Sequence, residues 1–157
     1  MMKYLQKLGK AIMLPVAVLP VAAIMMGIGY AMCPATMQGG DVTGIIQIIG
    51  FALVKIGSAV IDKLPMLFAV GVAIGLSKDQ HGAAGLAGLV AFLTVTTVLN
   101  SGVVATMMGA EEAPLAFSKI DNAFIGIISG ITASVCYNKF SSAQLPTALA
   151  FFSGKRC

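Results

Sequence analysis

The sequence predicts an all-α, polytopic membrane protein with about four transmembrane spans and one interfacial helix. Three observations carry that expectation. First, 58% of the 157 residues are hydrophobic and only 10% are charged, whereas an ordinary globular chain is about one quarter charged and uses that charge to cover its surface. Second, the mean hydropathy is +0.94. Third, long stretches, 11–40 and 82–110, carry no charge at all. This composition argues against a soluble enzyme and against a disordered tail. It also argues against a nucleic-acid partner, because the basic residues behind the net charge of +4 flank apolar runs instead of gathering on one face.

Crossing an apolar layer about 30 Å thick takes roughly 20 residues at 1.5 Å each. The basic flank Lys3, Lys7 and Lys10 precedes an apolar run over 11–32. That run is longer than a signal-peptide core, and further spans follow it, so it reads as a retained first helix kinked by Pro15 and Pro20. Between 42 and 77 the pattern is broken by Lys55, Asp62 and Lys63. Ile45, Ile46, Ile48, Ile49, Val54 and Ile56 recur at helical spacing with Gln47 and Lys55 among them, which predicts an interfacial helix. Residues 64–76 then form a short second span; the alternative is two spans here and five in all. Residues 82–110 form the third span and 122–138, extended to Phe140, the fourth.

Lys and Arg accumulate on the cytoplasmic side of membrane proteins. Lys3, Lys7 and Lys10, the 77–81 turn, and the tail with Lys139, Lys155 and Arg156 are therefore expected inside. Asp41 and the segment holding Glu111, Glu112 and Asp121 against Lys119 are expected outside, so both termini are cytoplasmic. A five-span count would put the basic tail outside. Small residues at Gly71 and Gly75, at Gly82, Gly85 and Gly88, and at Gly126, Gly130 and Ser134 suit close helix packing.

No residue is expected to be catalytic or to bind a metal or cofactor. Cys33, Cys136 and Cys157 lack disulfide or zinc spacing and read as free thiols. There is no phosphate-binding glycine loop, metalloprotease motif or nucleophile motif. His81, the one histidine, could serve a proton relay or accept a phosphoryl group, but no second titratable group is placed to orient it, and a helix-capping turn residue is the favoured reading. Asp79 and Ser77 are further capping candidates. Lys55, Asp62 and Lys63 are the ionisable residues nearest to membrane depth; they are expected to snorkel to headgroups or to pair.

Particular strings then carry a family resemblance. Leu5-Gln6-Lys7-Leu8-Gly9-Lys10-Ala11 with Leu14-Pro15-Val16-Ala17-Val18-Leu19-Pro20-Val21-Ala22-Ala23 closely resembles the opening of the IIC membrane component of glucose-type sugar permeases of the bacterial phosphotransferase system. Phe68-Ala69-Val70-Gly71-Val72-Ala73 with Ser77-Lys78-Asp79 is similar to a second signature. Asp121-Asn122 and Tyr137-Asn138-Lys139-Phe140, with Leu145-Pro146 and Ala150-Phe151-Phe152-Ser153-Gly154-Lys155-Arg156, is similar to a third. The wording is nearest the glucose and N-acetylglucosamine branch.

The resemblance implies uptake of a hexose with coupled phosphorylation. The partners it implies are IIA and IIB components, the lipid bilayer and a second copy in a homodimer. It also implies that 1–157 correspond to the N-terminal, interface-forming half of IIC, with the transport half and the IIB domain absent, as in a truncated or separately encoded product. No residue here is assigned to the sugar, and Cys157 lacks the motif of the IIB phosphocysteine. Two other readings are a non-transporting membrane dimerisation module and a small exporter or channel.

Overall fold

The computed structural model describes residues 2–38, 42, 44–109 and 111–141. Asp41, the 142–157 tail with Lys155, Arg156 and Cys157, and the motif string over 145–156 lie outside the described residues. All regular elements among the described residues are helices: α1 (Met2–Val16), α2 (Leu19–Met32), α3 (Ala35–Gln38), α4 (Ile45–Asp62), α5 (Leu64–Leu76), α6 (Gly82–Val98), α7 (Ser101–Met108), a short 3-10 helix (Leu115–Lys119) and α8 (Ala123–Phe140). They form two compact units, one of residues 14–64 and the other of residues 1–13 and 65–157.

In the 14–64 unit, α1 ends just past Pro15, after a break at Ala17 and Val18, and α2 begins with Pro20 in its first turn. That position suits a residue without an N–H. Residues Met2–Met32 still count as one 31-residue candidate span. α2 and α4 lie antiparallel. A Cβ on Gly29 would stand 2.7 Å from the Gly50 carbonyl oxygen, and one on Gly57 would stand 2.7 Å from that of Ala22, so only glycine lets the two backbones meet at both places.

This pairing bears on the expected division of 42–77. α4 has 18 residues and qualifies as a candidate span by its length and composition, and it packs along α2. α5 has 13 residues and reaches only about 20 Å at 1.5 Å per residue. Among the described residues three helical stretches are long and apolar enough to cross a membrane, or up to four if α6 and α7 make one broken span. Only 17% of the apolar window of α4 is buried, and Ile45, Ile46, Ile48, Ile49 and Ile56 are exposed. Side chains of this kind are at home in lipid. The chain is an integral, polytopic helical membrane protein.

The core of the other unit is α5. Ala69, Val72 and Ala73 are fully buried, because α6 and α8 approach the same stretch of backbone from two sides. A Cβ on Gly88 would lie 2.6 Å from the Ala69 carbonyl oxygen, and one on Gly130 would lie 2.7 Å from it. Gly126 touches the Pro65 carbonyl and Gly75 touches Ala11 of α1. The contacts order α8 parallel to α5 and α6 antiparallel to it. Gly85, Gly88, Gly126 and Gly130 therefore pack as expected, while Gly82 faces open space.

The expected single span over 82–110 breaks. α6 stops at Val98, and α7 starts anew after a 52° bend. The cause is Asn100, whose side-chain oxygen accepts from the Gly102 N–H at 3.0 Å and so caps a new helix. α7 ends on Gly109 at φ +64°, a left-handed C-terminal position that glycine adopts freely. α8 matches the expected 122–140 closely; Asn122 caps it by accepting from the Ile125 N–H at 3.0 Å.

Candidate functional site

The most elaborated polar structure among the described residues is the five-residue turn from α5 to α6, Ser77-Lys78-Asp79-Gln80-His81. Ser77 is 2% exposed, and its Oγ donates to the Ile74 carbonyl at 2.7 Å, which ties off the end of α5. The Lys78 N–H donates to Asn138 Oδ1 at 2.8 Å, and Asn138 Nδ2 donates to the Leu76 carbonyl at 3.2 Å. One amide on the last turns of α8 thus satisfies both a donor and an acceptor left over where α5 ends. The neighbouring Tyr137 hydroxyl donates to the Asp79 carboxylate at 3.1 Å.

His81 is the N-cap of α6, and its Nδ1 accepts from the Ala83 N–H at 3.2 Å. The capping role expected for His81 is what the structure has. Asp79 and Ser77, the other capping candidates, are engaged elsewhere: Asp79 takes the Tyr137 hydroxyl, and Ser77 bonds backwards into α5. Gln80 has φ +51°, a left-handed conformation uncommon outside glycine, and it reverses the chain between the two helices.

Lysines collect around this turn. Lys3, Lys7, Lys78 and Lys139 line a cleft of about 570 Å³ with Tyr4, Leu76, Ile131, Ser134, Val135 and Asn138. Lys7, Lys10 and Lys78 line an adjoining one of about 300 Å³ with Gly75, Ser77, Asp79 and Gln80. Asp79 is the one carboxylate in either lining. The linings are predominantly cationic, a chemistry that suits an anion.

At the other end of α6, a cleft of about 460 Å³ is lined by Thr96, Thr97, Asn100, Ser101, Val103, Phe117, Ser118, Ile120 and Asp121. Its hydroxyls mostly bond locally: Thr96 Oγ1 donates to the Phe92 carbonyl at 2.9 Å and Ser118 Oγ to that of Leu115 at 2.7 Å.

On α4, Lys55 lies 5.3 Å over the Phe51 ring, and Lys55, Asp62 and Lys63 are all exposed. Cys33 is buried and Cys136 exposed, both free thiols. Among the described residues no three His, Cys, Asp or Glu side chains are grouped to hold a metal ion. Sequence reasoning did not assign Tyr137 and Asn138 a role. The available signal was a polar triplet, Tyr137-Asn138-Lys139, closing an otherwise apolar helix.

Two strings that carried the family resemblance, Ser77-Lys78-Asp79 and Tyr137-Asn138-Lys139, are therefore halves of one hydrogen-bonded lock. Comparison with known proteins agrees over nearly the whole chain. The family described as "Phosphotransferase system, EIIC" matches residues 9–157. The chain belongs to this EIIC family. It is 39% identical over 158 residues to the "PTS system N-acetylglucosamine-specific EIICB component" of Bacillus subtilis (strain 168), an alignment covering 99% of this chain and 28% of that protein. It is 36% identical over 167 residues to the "PTS system glucose-specific EIICBA component" of Staphylococcus saprophyticus, covering 97% of this chain and 24% of that protein. This EIIC chain thus spans about a quarter of the length of these curated relatives.

Proposed function

We propose that this EIIC chain acts as the N-terminal, interface-forming half, residues 1–157, of a hexose permease of the phosphoenolpyruvate-dependent phosphotransferase system. Its substrate class is glucose or N-acetylglucosamine, taken up with coupled phosphorylation, and its partners are IIB and IIA components. The observation that carries this reading is the lock at Lys78, Asp79, Tyr137 and Asn138, because it joins two of the strings that resemble IIC into one structural device. The names of both relatives, one specific for N-acetylglucosamine and one for glucose, support the substrate class.

The protein resides in the bacterial cytoplasmic membrane with both termini in the cytoplasm. The supporting observation is the segregation of charge along α6: Lys3, Lys7, Lys10, Lys78 and Lys139 belong to one end, and Glu111, Glu112 and Asp121 to segments beyond the other. A homodimer is part of the proposal. Its surface is an exposed apolar face and not the glycine stripes of α6 and α8, which are filled by α5. That filling also weakens the reading of a pure dimerisation module working through those stripes. The exposed positions of Lys55, Asp62 and Lys63 give the exporter reading no mid-span carboxylate to use.

The test is labelled-sugar uptake in a bacterial strain deleted for its glucose and N-acetylglucosamine permeases. Expected are no uptake with the chain alone and uptake when it is co-expressed with the part of the B. subtilis relative that lies beyond the aligned region. Absence of uptake in the co-expressing strain, with both pieces present in the membrane, contradicts the proposal.

A further inference from the structure

We propose that the cleft between α1 and the C-terminal half of α8 binds one anionic phospholipid, with the phosphate among the ammonium groups of Lys3, Lys7, Lys78 and Lys139 and an acyl chain laid along α8. The inference goes beyond the permease reading and does not depend on transport; it depends on α8 crossing the membrane.

Three observations point to a lipid in place of a free anion or an acidic protein. The cleft is two-sided in chemistry. Four lysines line it, while α8 adds Ser134 and Asn138 and, running away from them, an apolar wall of Ile131 and Val135, the latter 59% exposed. A free phosphate has no use for that wall. The wall also continues away from the lysines. Phe124, Ile128, Ile131, Val135 and Lys139 are spaced four, three, four and four residues apart, which places them on one face of the helix. Phe124 and Ile128 are exposed as well.

From 124 to 135 this apolar track is about 17 Å long at 1.5 Å per residue, close to half the thickness of the bilayer's apolar core. That is the length one acyl chain occupies below its headgroup. Finally, the lysines lie where such a headgroup would be. Long basic side chains at the end of a span reach the interface, and basic clefts between helices at that level retain anionic headgroups. Asp79 accepts from the Tyr137 hydroxyl and lines the adjoining cleft with Lys7 and Lys78, so its charge meets those two lysines from the neighbouring cleft, and among the described residues the lining of the lipid cleft itself holds no carboxylate.

The test uses the 157-residue chain in a neutral detergent, titrated with dioleoyl-phosphatidylglycerol, dioleoyl-phosphatidylcholine or inorganic phosphate, with bound lipid counted by native mass spectrometry. Saturable binding of one phosphatidylglycerol, about tenfold tighter than phosphatidylcholine, is expected. The preference should vanish in the Lys3→Gln/Lys7→Gln/Lys78→Gln/Lys139→Gln variant with helical circular dichroism unchanged, and it should persist in Lys55→Gln/Lys63→Gln. Ile131→Ser/Val135→Ser should weaken phosphatidylglycerol several-fold with the lysines intact.

Equal affinity for the two lipids overturns the proposal, as does an equal loss in the Lys55→Gln/Lys63→Gln control. Inorganic phosphate displacing the lipid at matched concentration overturns it in favour of a free-anion site. If instead the soluble IIB part of the B. subtilis relative binds in a way that needs the four lysines and displaces no lipid, the cleft is a protein-docking surface and the proposal fails.

Discussion

The two ends of α6 solve the same problem by different means. At the lysine-rich end, hydrogen bonds cross between elements some sixty residues apart in sequence: Asn138 holds the end of α5 and the start of the turn, and Tyr137 holds Asp79. At the other end, Asn100, Thr96, Ser118 and Asn122 bond to groups within four residues of themselves. What pins α8 there is backbone contact, Gly126 against the Pro65 carbonyl. The difference teaches which end is built to be rigid as a surface. A turn locked from α8 holds the Lys78 backbone in place beside α8, whereas a segment stabilised by local caps shapes itself one element at a time.

Substitutions can break this contrast in order of size. Gly126→Leu should be the most damaging, because the added Cβ meets a backbone carbonyl that cannot yield; α8 must shift at a cost of about 3 kcal/mol, read as loss of thermal stability in detergent. Asn138→Leu should come next at about 2 kcal/mol, since it leaves the Lys78 N–H and the Leu76 carbonyl without their partner. Asn100→Ala removes only a helix cap and should cost about 1 kcal/mol. If Asn100→Ala proves costlier than Asn138→Leu, the contrast between a locked and a locally built end is wrong.

Tyr137→Phe should cost less still, about 0.5 to 1 kcal/mol, because its hydrogen bond is exposed to solvent. Gln80→Gly sharpens the comparison from the opposite side. It relieves the left-handed conformation at φ +51° but frees the unfolded chain, so a change within about 1 kcal/mol of zero is expected. A loss well beyond that would show the Gln80 side chain to be part of the lock.

Much of this was readable without coordinates. Absence of charge over a span's length marked the first helix and α8, and Asn122 and Phe140 bounded α8 nearly to the residue. The division of 42–77 was harder to read, for a physical reason. Gln47 and Lys55 mimic the polar face of an interfacial helix, and only the contacts of Gly29, Gly50 and Gly57 reveal that α4 lies along α2. Helical periodicity records which face of α4 is small, but not what packs against it.

The break at Asn100 was missed because the stretch has no charge or proline, although Asn100-Ser101 is a fair N-cap signal. The lock was invisible for another reason. Tyr137 and Asn138 find their partners sixty residues away, and no local pattern encodes that distance. The family strings marked both halves, and the fold joined them.

The proposed placement of the two ends on opposite sides of the membrane is tested most directly by single-cysteine labelling in intact cells. Starting from a chain with its three cysteines replaced by serine, Glu112→Cys should react with a membrane-impermeant maleimide added outside, and Lys78→Cys should react only after the cells are permeabilised. Labelling of Lys78→Cys from outside, or equal labelling of both positions before permeabilisation, would contradict the account.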